Sequence, residues 1–362
     1  LVLGGPGVFE QRIQGKARRA LLAGGGTLKR RAAGGRERGT RPSCQAVHTF
    51  ADDRCIQSPH ATIIEQFLQN AKFFLGYFGK FLYNSGMEQG QEIFNRRALG
   101  EAGVSYSVGI VLYVVVTLVF QMVCLACLGE GYAQSGVVRF LAYLLPQVCF
   151  AAAALVFFRR SKAGVRSVYR ACKWYYFPLA LLLQFGLLFS LAELNTMFSD
   201  WLASMGYRSP SMGIPPLEGW NMLPALLIVA LLPALFEETL FRGIFVGRMH
   251  ASGWGSAATV CISGALFALY HGSPVQTLYQ FACGACFALL TLRAGSMFPS
   301  ALAHFCNNAA ILILTATGYQ TEGGWTMPQG WHIGLIATAC AALAAVLLFL
   351  LLDNLPCIFV SK

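Results

Sequence analysis

Apolar runs long enough to cross a bilayer recur along this chain, and in lipid a single segment satisfies its own backbone N–H and C=O groups only as a helix. Eight such runs can be read, over 105–128, 138–158, 175–195, 221–247, 254–272, 275–293, 296–317 and 331–353. Of the 362 residues, 56% are hydrophobic and 12% charged, where soluble domains average about 25% charged. The expected fold class is therefore all-α, a polytopic membrane helical bundle of about eight transmembrane helices. An assembly of two or three soluble domains is excluded.

The formal net charge of +11 suggests a nucleic-acid partner until it is located along the chain. Residues 1–41 carry ten Lys and Arg against Glu10 and Glu37, and residues 42–86 balance. The excess thus lies in a Gly-, Ala- and Arg-rich N-terminal stretch, and nucleic acid is not expected as a partner. Residues 1–86 read as a basic extension, either disordered and touching anionic lipid or an over-extended reading frame with its start at Met87. A possible amphipathic interfacial helix occupies 61–84. The remaining divisions are N-terminal transmembrane helices over 87–220, a core over 221–317, and a last transmembrane helix with a short tail over 318–362. Eight of the twelve cysteines, Cys124, Cys127, Cys149, Cys261, Cys283, Cys286, Cys306 and Cys340, lie inside apolar spans and read as small hydrophobes.

Loop charge sets the orientation. The segment after the second span holds Arg159, Arg160, Lys162, Arg166, Arg170 and Lys173, which places it in the cytoplasm. Alternate loops are poor in positive charge, so the expectation is a multi-pass cell-membrane protein with both termini cytoplasmic.

Three polar sets interrupt the apolar core: Glu237-Glu238-x-x-x-Arg242, Phe267-x-x-x-His271 and His304-x-x-x-Asn308. Ionisable groups in a spanning helix cost about 2.5–3.5 kcal/mol each on insertion scales and persist where they face a cavity and a partner. Glu238 and Arg242 stand i,i+4 with the acid first, the favourable order for an ion pair. Glu237 points about 100° away, free to act as a general base. His304 and Asn308 present two donors on one face, a pattern able to hold an oxyanion. Asn307, on another face, reads as an interhelical hydrogen bonder. The bland alternative for the Glu237, Glu238 and Arg242 set is a salt-bridge knot that fixes the bundle. One difficulty is geometric, since straight helices would separate Glu237 from His271. Convergence requires a kink at Pro233, a shorter or re-entrant fifth segment, or a boundary shifted by a turn.

In order and spacing these motifs resemble those of the CAAX protease and bacteriocin-processing (CPBP) family of intramembrane endopeptidases, which includes the type II CAAX prenyl endopeptidases. FEETLFRG, FALYH and AHFCNN carry the resemblance, over roughly 221–317. It implies an intramembrane protease acting on a peptide or protein substrate at the lipid bilayer. Glu237 and His271 would then activate water, His304 and Asn308 would bind the oxyanion, and Glu238, Arg242 and Phe267 would support the site. The family has carried a metalloprotease label, and zinc, if used, would take Glu237, His271 and His304. The chain has no His-Glu-x-x-His and Asn is a poor zinc ligand, so the expected cofactor is none. A non-proteolytic immunity or scaffold role, or a transporter using the acids and histidines as a relay, are the other functional classes.

Overall fold

The computed structural model describes residues 95–207, 213–321, 324–325 and 329–352. The expectations for the basic extension and the interfacial helix at 61–84 lie outside these residues.

Among the described residues eight apolar helical segments follow one another: α1 (Arg96–Leu128), α2 (Gly136–Arg160), α3 (Tyr176–Ser204), α4 (Gly219–Ala251), α5 (Ser256–Tyr270), α6 (Thr277–Ala294), α7 (Phe298–Ala316) and α8 (Gln329–Leu352). A two-residue antiparallel ladder, β1 (Gln320–Thr321) with β2 (Gly324–Trp325), joins α7 to α8. Seven of the eight are long and apolar enough to cross a membrane, with α5 the exception. The chain is a multi-pass helical membrane bundle.

Local chemistry sets the helix ends. The Asn95 side chain accepts from Ala98 N at 3.0 Å and caps α1. Gly295 closes α6 in the left-handed region, where a side chain would be strained. Bilayer hydrocarbon acts as the solvent of the outer faces: Val104, Val108, Val111, Val115 and Val119 form an exposed stripe along α1. Polar side chains are instead turned inward, the reverse of a soluble helix.

Segment five departs from expectation. The 254–272 run reads as a full span, but its helix has 15 residues, about 22 Å at 1.5 Å per residue against roughly 30 Å of hydrocarbon. The helix stops at Tyr270 because Gly272, at φ +60°, and Pro274 turn the chain directly into α6. Helix α5 packs closely on α6 through Gly264 and Gly284. A Cβ on Gly284 would lie 2.9 Å from both the Gly264 Cα and the Phe267 Cβ, the close backbone approach that small residues permit between membrane helices.

Helix α4 is not a uniform α-helix. Two π-helical stretches, Leu226–Leu231 and Thr239–Val246, flank an α-helical turn over Leu232–Glu238 that contains Pro233, Glu237 and Glu238. A π-turn carries an extra residue, so each stretch shifts the helix phase by roughly 100°. The short α5 and the π-widened α4 together remove the separation that straight helices would impose on Glu237 and His271.

Candidate active site

Glu237 sits in the bundle interior, 4% exposed. Its Oε1 accepts from Gln147 Nε2 on α2 at 2.8 Å and from the Tyr270 hydroxyl at the end of α5 at 3.1 Å. Its Oε2 has no hydrogen-bond partner among the described residues. One carboxylate oxygen is clamped and the other is uncommitted. The Tyr270 ring is itself held by Phe150 and Tyr113, with centroids at 5.1 and 5.2 Å.

Glu238, fully buried, does not line the cavity with Glu237 but enters an electrostatic knot. Its Oε1 accepts from Arg242 Nη1 at 2.8 Å, the ion pair expected from the i,i+4 spacing. The same oxygen lies 2.9 Å from His304 Nδ1 on α7. A carboxylate can only accept, so the His304 Nδ1 carries a proton and the ring presents Nε2 on its other side. Glu238 is thus a brace for both Arg242 and His304, where spacing suggested only the first. The guanidinium also donates to Gly284 O at 3.3 Å and stacks over Phe267, its carbon 4.3 Å from the ring centroid.

His271 is the C-cap of α5, half-buried, with Nδ1 2.8 Å from Phe267 O. A carbonyl accepts, so Nδ1 again carries the proton and Nε2 is left with a lone pair in the neutral ring. Phe267 therefore touches the site twice: its carbonyl orients His271 and its ring covers Arg242. On α7, Asn308 Nδ2 donates to Val229 O at 2.9 Å, and Asn308 Oδ1 accepts from Asn307 Nδ2 at 2.9 Å. Asn307 forms the expected interhelical bonds, accepting from Gln184 and Tyr279. Contrary to expectation it also lines the site.

Glu237, His271, His304 and Asn308 line a single cavity of about 220 Å³, with Gln147, Tyr270 and Asn307 in its wall. The structure brings all four together from α4, α7 and the end of α5, while Glu238 and Arg242 stand behind the wall. Sequence reasoning missed Gln147, Tyr270, Gln184 and Tyr279. The two glutamines carried a usable signal, an amide inside an apolar span. The tyrosines did not, since such side chains also serve as ordinary bundle packing.

A zinc ion, if used, would take Glu237, His271 and His304. Among the described residues no three His, Cys, Asp or Glu side chains come together as a group able to hold a metal ion.

Fold and cavity define a polytopic membrane protein with a polar cavity lined by carboxylate, imidazole and amide groups. Residues 219–310 match the sequence model of the family described as type II CAAX prenyl endopeptidase Rce1-like. The matched stretch contains all three motifs and is consistent with the CPBP family. At the family level it supports a CAAX-type protease. No curated protein and no solved structure matches the chain.

Proposed function

We propose that the chain is an intramembrane endopeptidase that hydrolyses a peptide bond with water activated by Glu237 and His271. The observation that carries this reading is the convergence of Glu237, His271, His304 and Asn308 on one cavity. Water held between the free Glu237 oxygen and the His271 Nε2 lone pair would donate one hydrogen to each, leaving an oxygen lone pair for attack. As that oxygen bonds to the peptide carbonyl carbon, Glu237 takes the proton and the carbonyl oxygen gains the negative charge. Asn308 donates to this oxyanion from its amide. His304 donates from Nε2, which requires the imidazolium form, and Glu238 supplies the counter-charge. Collapse breaks the C–N bond while the Glu237 proton passes to the leaving amine. Every step uses protein groups, and none is assigned to a metal.

The family match supports a substrate whose prenylated C-terminal segment reaches the membrane. The concentration of Arg and Lys between α2 and α3 supports a cytoplasmic placement for that loop and for both termini.

The test is cleavage of internally quenched peptides, with and without a prenylated cysteine near the C-terminus, by detergent-purified protein. Wild type and Glu237→Gln are compared, each with and without a zinc chelator. Glu237-dependent cleavage that survives chelation is expected. Chelator-sensitive cleavage would bring a metal into the mechanism, and no cleavage would transfer the site to a binding or immunity role.

A further inference from the structure

A line of buried side-chain amides runs from the bundle interior to the cavity wall. Gln184 Nε2 on α3 donates to Asn307 Oδ1 at 2.7 Å, and the Tyr279 hydroxyl on α6 donates to the same oxygen. Asn307 Nδ2 donates to Asn308 Oδ1, and Asn308 Nδ2 donates to the Val229 carbonyl on α4, each at 2.9 Å. None of the four side-chain donors is more than 7% exposed.

The direction of this line is fixed at one end by a backbone carbonyl. The Val229 carbonyl, in the π-helical stretch Leu226–Leu231 of α4, receives Asn308 Nδ2. A carbonyl only accepts, so Asn308 must face it with Nδ2. Asn308 Oδ1 is thereby turned toward Asn307, which must answer with its own Nδ2. Asn307 Oδ1 then points at Tyr279 and Gln184, both of which donate. Reversing any amide would set oxygen against oxygen or NH2 against NH2 in a buried site.

We propose that Gln184, Tyr279 and Asn307 form a positioning relay, set in direction at the Val229 carbonyl, that holds the Asn308 NH2 group at the cavity wall with its second N–H available to substrate. Asn308 and Val229 both line the cavity, so the oriented amide meets whatever occupies it. The use of that N–H on an oxyanion rests on the proteolytic reading, whereas the direction of the relay does not.

The decisive variant is Asn307→Asp, nearly isosteric, which replaces the donor facing Asn308 Oδ1 by an acceptor. Asn308 is then expected to turn its NH2 toward residue 307 and its oxygen toward the cavity. In the peptide assay kcat should fall about 10²-fold, the cost of one oxyanion donor, with KM within about twofold. Introduced into Asn308→Ala, the same change should add no further loss. Tyr279→Phe leaves Gln184 as donor to Asn307, and its kcat should fall by less than about tenfold in a protein that melts normally. It carries the test if Asn307→Asp does not fold. Unchanged kcat in Asn307→Asp, or additive loss on Asn308→Ala, overturns the relay.

A second readout does not depend on turnover. In protein labelled with 15N-asparagine, the Asn308 side-chain signal is identified by its disappearance in Asn308→Asp. It should move in Asn307→Asp, and the Asn307 signal should move in Tyr279→Phe. Signals that stay in place sink the relay even if peptides are cleaved, while moving signals in a protein that cleaves nothing sink only the proteolytic reading.

Discussion

The Nδ1 atom of His304 lies 2.9 Å from Oε1 of Glu238, the oxygen that also receives Arg242 at 2.8 Å. The second acid of the Glu-Glu pair is therefore structural and orienting at once. It neutralises a guanidinium with no exposed surface and fixes the rotation of an imidazole in the cavity wall.

Removing Arg242 should cost stability before it costs chemistry. Arg242→Ala leaves Glu238 buried without its cation, a change that typically costs about 3–5 kcal/mol. It also removes the stacking over Phe267. Lowered melting temperature in detergent, with residual activity lost in parallel, is the expected result. A variant that melts normally would show that the knot does not hold the bundle.

Glu237 should behave in the opposite way. Glu237→Gln keeps the size of the side chain and an oxygen able to accept from Gln147 and Tyr270, but it removes the base. Cleavage should fall by about 10²–10⁴-fold, the range for loss of a general base, with melting temperature little changed. Destabilisation equal to that of Arg242→Ala would favour the salt-bridge knot over the catalytic reading.

The clamp on Glu237 Oε1 offers a graded test. Tyr270→Phe and Gln147→Leu each delete one hydrogen bond to a carboxylate, of a kind worth about 1.5–3 kcal/mol. Each is expected to lower kcat by roughly 10- to 150-fold on conversion of that energy. The double variant should lose less than the product, because the two donors restrain one oxygen. Simple multiplicativity would indicate independent roles.

Gly284 links packing to chemistry. A methyl group at this position would meet the Gly264 backbone and the Phe267 Cβ at 2.9 Å, and the Gly284 carbonyl is a partner of Arg242. Gly284→Ala should push α5 from α6 and cost about 1–3 kcal/mol, as overpacking does. Because Phe267 orients His271, activity should fall as well. Gly334→Ala is a matched control on α8, where nothing lies within 4 Å of the added methyl. It should be silent in both assays.

The sequence by itself determined the helical membrane bundle, since long apolar runs have one backbone solution in lipid, and it determined which ionisable groups required a partner. It also determined the Glu238–Arg242 pair, because i,i+4 geometry is local. Tertiary structure alone decided how the motifs meet. The short α5 and the π-widened α4 depend on packing among helices far apart in sequence, as does the arrival of Gln147 from α2 at the Glu237 carboxylate. The direction of the Asn308 amide depends on both levels. The Val229 carbonyl is an acceptor by covalent structure, but it acts on Asn308 only because α4 and α7 are brought side by side. A hydrogen bond between distant segments has no periodicity to betray it in sequence, and the chemistry of this cavity is composed of such bonds.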